Sequence, residues 1–104
     1  MVEYTSRIDI IFSALADPVR RDMIERTADV ELTVNQIAVD YDMSLAAVSK
    51  HLKVLFEAGL IDRRKDGRYH FISMRKDGMR DVVAYMQQYE NAWSERLEQN
   101  NEKK

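Results

Sequence analysis

The sequence predicts a mainly α-helical domain that carries one β-hairpin. Apolar residues recur at helical spacing through residues 44–59 and again through residues 79–97. Between these stretches the pattern changes to alternation around an Asp66-Gly67 pair, a dipeptide that favours tight β-turns. At 104 residues, 45% of them hydrophobic, the chain is expected to form a single domain, residues 1–104, with a modest core.

Start and stop signals divide the first part of the chain into two helices. Ser6 or Thr5 can cap a first helix that continues to Ala16, with apolar residues at helical spacing. Asp17-Pro18 then ends this helix and begins the next, because aspartate is a good N-cap and proline a good first residue. We expect the second helix to continue to about Thr27.

A short third helix and a longer fourth helix follow. Thr33 opens a capping-box pattern, T-x-x-Q, at the start of the third helix. After the link Tyr41–Met43, Ser44 can cap the fourth helix and Gly59 can end it. Two helices joined by about three residues are typical of a helix-turn-helix. The stripe of the fourth helix that we expect to be buried consists of Leu45, Val48, Leu52, Leu55 and Phe56.

Residues 60–74 alternate like two strands and are predicted to form a basic hairpin. A type I′ turn centred on Asp66-Gly67 places Lys65 opposite Arg68, and the other pairs follow from there. The hairpin is then apolar at its base and cationic at its tip. A helix-turn-helix followed by such a hairpin is a winged helix-turn-helix, so we expect about five helices with this hairpin as the wing.

Charge is distributed unevenly along the chain. The net charge is −2, yet residues 44–76 hold eight Lys/Arg and three Asp/Glu, so this segment is +5 and the remainder −7. Such segregation favours one surface that faces a polyanion, here double-stranded DNA. The residues expected to contact DNA are Ser44, Ala46, Ala47, Ser49, Lys50, His51 and Lys53 on the fourth helix, and Arg63, Arg64, Lys65 and Arg68 on the wing.

The same patterns allow simpler interpretations. Lys50 and Lys53 could form a solvated face, and the wing cations could protect an exposed sheet edge. His51 lies at the flank of the buried stripe. Its side chain could pack against the core or contact DNA, and metal binding is the least favoured of its three possible roles. Arg20 and Arg21 could pair with nearby aspartates or reach phosphate.

A long last helix is predicted over about residues 76–97, with residues 98–104 expected to fray. Its apolar stripe is expected to be buried against another surface. Because a chain this short buries a limited fraction of its own surface, a second copy of the chain is the expected partner. The last-helix residues expected at a dimer interface are Val82, Val83, Met86, Tyr89 and Trp93. A ligand pocket lined by the aromatic residues of this stripe is the alternative.

Several function classes are disfavoured by the sequence. The chain has no cysteine, which excludes disulfides, thiolate metal sites and thiol redox switching. Ser44, Ser49 and His51 are close in sequence, but no nucleophile motif surrounds them, so we expect neither an enzyme nor a cofactor. No signal peptide or membrane span is visible, and we expect a cytoplasmic protein.

Three segments resemble the ArsR family of bacterial winged-helix repressors. They are LADPVRRDMIE, SLAAVSKHLKVLFEAGLI and DRRKDGRYHFI, and the resemblance covers about Ile11–Met74 with a weaker match in the last helix. It implies a homodimeric repressor that binds an imperfect inverted repeat in a promoter. It also places the first helix at the dimer interface, which adds Ile8, Ile11 and Phe12 to the residues expected there.

The resemblance implies no metal site in this chain. Many family members sense metals through cysteines on the third helix, where this chain has Leu32-Thr33-Val34-Asn35. Others use histidine and acidic residues on the last helix. The last helix of this chain has Asp81 and Glu90 but no histidine. The chain is therefore similar to the subgroup that lacks metal ligands. A winged helix that docks a protein, or a switch with an effector between the terminal helices, remains an alternative function.

Overall fold

The computed structural model describes residues 6–102, which form five helices and a three-stranded antiparallel sheet. The predicted winged helix-turn-helix is confirmed. No helix in this range is both long and apolar enough to cross a membrane. The elements in chain order are α1 (Arg7–Leu15), α2 (Pro18–Arg26), β1 (Leu32–Thr33), α3 (Val34–Ala38), α4 (Leu45–Glu57), β2 (Ile61–Asp66), β3 (Tyr69–Met74) and α5 (Lys76–Glu102).

Helices α1 to α4 begin at the polar residues that the sequence predicted as caps. Ser6 and Asp17 accept hydrogen bonds from the first-turn amides of α1 and α2. Thr33 and the third residue of α3 form a complete capping box. The Ser44 hydroxyl accepts from the Ala47 amide at 3.1 Å and so caps α4. The other candidate cap of α1, Thr5, lies outside the described residues.

The core lies between the helices and the inner face of the sheet. The centre of the α4 stripe is fully buried there, as predicted, but Leu45 and Phe56 are 52% and 46% exposed. The expectation that these two residues are buried is wrong, because both lie at the edge of the stripe that faces the wing. The buried apolar residues are Ile11, Ala14, Met23, Ile24, Ile37, Val48, Leu52, Leu55, Ala58, Leu60, Ile61 and Ile72.

The hairpin turn lies one residue further along the chain than predicted, which shifts the strand register by two residues. Asp66 pairs with Tyr69 and Lys65 with His70, so the predicted Lys65–Arg68 pair is wrong and the turn is Gly67-Arg68. A type I′ turn needs positive φ at both central residues, whereas a type II′ turn needs it only at the first. Gly67 has φ +62°, and no non-glycine residue of the described chain has positive φ, so the turn takes the glycine-first form.

A third strand, β1, was not predicted. Leu32 pairs with Ile72 and Thr33 with Phe71, which makes β3 the central strand in the order β1-β3-β2. Two residues are too few for an alternating pattern to show. Because Thr33 is also the cap of α3, this pairing ties the start of the helix-turn-helix to the wing.

Helix α5 crosses the turn that follows α4 at very close range. Gly59 ends α4 with φ +74°, and a Cβ built on Gly78 of α5 would lie 1.9 Å from the Gly59 carbonyl oxygen. The adjacent Arg75 amide donates to the Leu60 carbonyl at 2.9 Å. The end of α4 and the start of α5 are therefore held backbone against backbone. Helix α5 then continues to Glu102, past the predicted end near residue 97, and residues 103–104 lie outside the described residues.

The substitution Gly78→Ala should destabilise the fold. Helix propensity alone would make it stabilising by about 1 kcal/mol. The clash with the Gly59 carbonyl should outweigh this and lower the free energy of unfolding by about 2 kcal/mol. Urea denaturation of the variant against wild type measures the sign, and a stabilised variant would contradict the close crossing.

Candidate nucleic-acid interface

The outer face of α4 divides into two flanks around Lys50. Ala46, Ser49, Lys50 and Lys53 are exposed, whereas Ala47 and His51 are half-buried. At 100° per residue, Ser49 and Lys53 lie on the flank toward the wing, and Ala47 and His51 on the flank toward α1 and α2. Ser44 is exposed at the helix start while its hydroxyl oxygen caps the first turn.

Two exposed arginines of the wing lie against aromatic rings, and Arg63 does so on the side toward α4. The Arg63 guanidinium lies 5.1 Å from the centre of the Phe56 ring, and that of Arg68 lies 5.9 Å from the Tyr69 ring. Within residues 6–98, no carboxylate lies within ion-pair distance of Lys50, Lys53, Arg63, Lys65 or Arg68. Stacking orders a guanidinium without cancelling its charge. These side chains therefore form a positive surface.

Arg64 points to the opposite face of the hairpin and is neutralised there. It donates to both carboxylate oxygens of Glu31 at 2.9 and 3.0 Å and stacks 4.5 Å from the Phe71 ring. The hydrogen bond from Arg64 holds the pKa of Glu31 below its ordinary value. The sequence did not reveal this pair, because the two residues are far apart in the chain and β1 brings them together.

Arg20 and Arg21, which the sequence left open, cap the C-terminal end of α1. Arg20 donates to the carbonyls of Ala14 at 2.7 Å and Ser13 at 3.1 Å. Arg21 donates to the Leu15 carbonyl at 2.7 Å. The last carbonyls of a helix lack partners within it, so these arginines fix the joint between α1 and α2. The Arg20 side chain is only 16% exposed, so its guanidinium is largely enclosed at this joint.

His51 is the link between this joint and α4. The Arg20 guanidinium lies 3.2 Å from its Nδ1 atom. Because arginine can only donate, Nδ1 is the acceptor and Nε2 carries the hydrogen. One side of the imidazole thus has a structural role, and Nε2 remains as a donor.

A cleft lies between α3, α4 and the wing. Its cavity volume is about 310 Å³. The sequence did not single out Val34, Asn35 and Tyr69 as site residues, since only the packing of three separate elements brings them together. The lining residues that the sequence did single out are Ser49, Lys53, Arg63 and Arg68. A second hollow of about 290 Å³ lies between α1 and α5, beside Ile8 and Tyr85.

The apolar stripe of α5 is covered only near its start. Met79 and Val82 pack on the core, and Tyr85 meets Phe12 edge to face at 5.4 Å. Beyond them the stripe is about half-exposed and comprises Val83, Met86, Tyr89, Trp93 and Leu97. Ile11 is 1% exposed, so its predicted place at a dimer interface is wrong: it is a core residue of its own subunit.

Comparison with known proteins identifies the family. Residues 15–64 match a family described as a helix-turn-helix domain. Transcriptional repressor SdpR of Bacillus subtilis (strain 168) is 26% identical over 81 residues, which span 78% of this chain and 90% of that protein. The crystal structure of an ArsR family transcriptional regulator has a TM-score of 0.79 and 32% identity, over 90% of this chain and 97% of that one. The chain belongs to the ArsR family.

The structure of a possible ArsR-family regulator shows the same fold in a dimer. The solution structure of a homodimeric winged helix-turn-helix DNA-binding domain from Mycobacterium bovis has a TM-score of 0.67 at 23% identity. It covers 89% of this chain and 93% of that one. At this identity the likeness concerns the fold. As an ArsR-family protein, the chain is a transcriptional regulator with a helix-turn-helix DNA-binding domain.

The acidic and histidine side chains of this ArsR-family chain are dispersed over the described structure. Across the part of the chain that the structure describes, no three His, Asp or Glu side chains are grouped closely enough to hold a metal ion. Asp81 lies in the last helix, where other family members bind metal through histidine and acidic residues. Here its carboxylate forms an ion pair with the Arg7 guanidinium at 3.3 Å.

The joint beneath α4 should respond to acid through Asp17. Burial acts to raise the pKa of Asp17, but the amides of Val19 and Arg20 and the Arg20 charge outweigh it and lower the pKa below its ordinary value. A lowered folded-state pKa adds stability above the unfolded-state pKa, about 3.9, and this stability disappears as the pH falls through the folded-state value.

Asp17→Asn is the matched test, because asparagine caps a helix as well as aspartate does. Wild type should be more stable than the variant at pH 6, and the difference in free energy of unfolding should shrink as the pH falls below about 4. Urea titrations at several pH values measure it. A difference that stays constant down to pH 3 would contradict the assigned role of the carboxylate.

Proposed function

We propose that this protein is a homodimeric repressor that binds an inverted-repeat operator in DNA. The observation that carries the proposal is the positive surface shared by α4 and the wing. Its cations, Lys50, Lys53, Arg63, Lys65 and Arg68, have no carboxylate partner in the described chain, whereas Arg64 on the opposite face is paired with Glu31. Cations left without partners on one side suit a phosphate backbone.

Docking of α4 in the major groove accounts for the small and polar residues at its start. Ala46 lets the helix approach base edges, and its methyl group can contact thymine. Ser44, Ala47, Ser49 and Lys50 provide further contacts to bases and phosphates, and the Nε2 hydrogen of His51 is an available donor. The wing then lies over the adjacent backbone, where Arg63, Lys65 and Arg68 serve as phosphate ligands. Arg64 should contribute less, because DNA would have to displace Glu31.

The α5 stripe supports dimerisation by a second copy of the chain. The face that covers the core through Met79 and Val82 continues unchanged beyond the body of the domain. An identical helix offers an equally apolar face with two-fold symmetry. Such a dimer presents two α4 helices to major grooves about 34 Å apart, which corresponds to an inverted repeat. Ile8, Phe12, Val82, Val83, Met86, Tyr89 and Trp93 form the proposed interface.

Repression is supported by the relative SdpR, which is a transcriptional repressor. A dimer that covers a promoter would exclude polymerase sterically. A protein-docking module is the alternative from another class, and it predicts that an acidic protein rather than DNA occupies the positive surface. A further alternative is a switch that responds to a small effector, and the hollow between α1 and α5 is the place where such an effector would bind.

Two substitutions should separate base reading from phosphate binding. Lys50→Ala should weaken operator binding about tenfold and affect random DNA less. Arg68→Ala should weaken both alike and reduce the salt slope of log K by about 1. Fluorescence anisotropy with labelled duplexes over a salt series measures both effects.

Arg80→Ala is the matched control for these variants. It removes the same charge from an exposed side chain on α5, where Arg80 is paired with Asp77. DNA affinity should stay within about twofold of wild type. Equal losses in Arg80→Ala and Arg68→Ala would point to net charge rather than to the wing, and unchanged affinity in Lys50→Ala and Arg68→Ala would remove the proposed surface.

The proposed dimer interface predicts that Met86→Asp yields monomers. A charge in the middle of the stripe would be buried without a partner on dimerisation. Asn91→Asp adds the same charge on the opposite side of α5 and should remain dimeric. Sedimentation velocity gives the mass, and circular dichroism verifies that both variants stay folded. A dimeric Met86→Asp would place the interface elsewhere.

A further inference from the structure

The cleft between α3, α4 and the wing combines an apolar floor with cationic walls. Leu52, Ile61 and Ile72, which line it, are core residues. The lining side chains of Lys53, Arg63 and Arg68 carry charges without a carboxylate partner among the described residues. Its volume of about 310 Å³ is at the lower end of the range for small-molecule pockets, about 300–1,000 Å³.

One of the residues that line the cleft, His70, carries an unsatisfied ring nitrogen. Its Nδ1 atom is buried without a hydrogen-bond partner among the described residues. Buried polar atoms without partners are rare because they destabilise a fold. Nearby, the Ser49 hydroxyl offers a further hydrogen-bonding group.

We propose that this cleft binds a small organic carboxylate with an apolar body, and that the bound carboxylate opposes DNA binding. The apolar body covers the floor, and the carboxylate meets Arg63 and Arg68, whose guanidinium groups match its planar geometry. Inorganic phosphate fits less well because it cannot cover the apolar floor. Ligand and DNA phosphates need the same cations, so the two compete. This competition rests on the proposed DNA-binding function, whereas the binding site itself does not.

Benzoate is the probe for the site. It should produce saturable shifts of the amide signals of Ser49, Tyr69 and His70 in ¹⁵N-labelled protein at constant ionic strength. Val34→Phe fills the cleft from α3 without removing a cation and should weaken benzoate binding about tenfold or more. Ala84→Phe, which fills the hollow between α1 and α5, should leave the benzoate affinity unchanged. If Val34→Phe does not fold, the exposed Asn35→Trp fills the same cleft.

Three results would overturn the site. Benzoate could produce no saturable shift. Its shifts could cluster instead at Arg7, Ala84 and Tyr85, which would place the ligand between the terminal helices. Finally, inorganic phosphate could bind as tightly as benzoate at the same residues, which would show that only charge is recognised.

Competition is measured separately by anisotropy with a DNA duplex from the upstream region of the gene. With benzoate at ten times its own dissociation constant, the apparent Kd for DNA should rise about tenfold in wild type and stay unchanged in Val34→Phe. An unchanged Kd in wild type with benzoate bound would overturn the competition and leave the site. Absence of any DNA binding would overturn the proposed function and the competition with it, while the benzoate shifts would still decide the site.

Discussion

The close crossing of α5 over the end of α4 is the constraint on which the rest of the molecule depends. The Gly78 position meets the Gly59 carbonyl without room for a Cβ, and the Arg75 amide bonds to Leu60 one residue further on. The contact joins backbone to backbone, so rotamer changes cannot relax it. It connects three parts: α4, the base of the wing at Ile61, and the helix whose apolar stripe extends beyond the domain. The helix that carries the positive surface and the helix that carries the apolar stripe are thereby held in one rigid unit.

Electrostatic pairing gives the hairpin two different faces. Arg63 and Arg64 are adjacent in sequence, but alternation along β2 sends their side chains to opposite sides. Arg64 forms an ion pair with Glu31, which neutralises its charge and connects the wing to the loop before β1. Arg63 rests on Phe56 and keeps its charge. Phe56 is half-exposed and is not needed to fill the core. Its ring instead positions the Arg63 guanidinium.

Local signals were readable from the sequence, and contacts between distant segments were not. The caps at Ser6, Asp17, Thr33 and Ser44 depend on a few neighbouring residues, and all were predicted. The turn was missed because Asp66-Gly67-Arg68 supports a glycine-second or a glycine-first turn, and only the pairing of the whole ladder selects one. The Glu31–Arg64 pair and the cleft depend on β1, two residues that leave no pattern. Ile11 followed the helical period correctly, but periodicity cannot distinguish a subunit core from a subunit interface.

In the proposed dimer, the rigid joint makes operator recognition sensitive to how two α5 helices pair. Helix α4 has 13 residues and is about 20 Å long. Because the Gly59–Gly78 joint is rigid, a rotation of α5 by about 10° carries α4 with it and moves the far end of α4, relative to the joint, by roughly 3.4 Å, which is one base-pair step. The residues proposed to read bases lie at that far end, near Ser44. A small change in the angle between the α5 helices is therefore amplified into a change of register on DNA, whereas a ligand in the cleft would act on the cations directly.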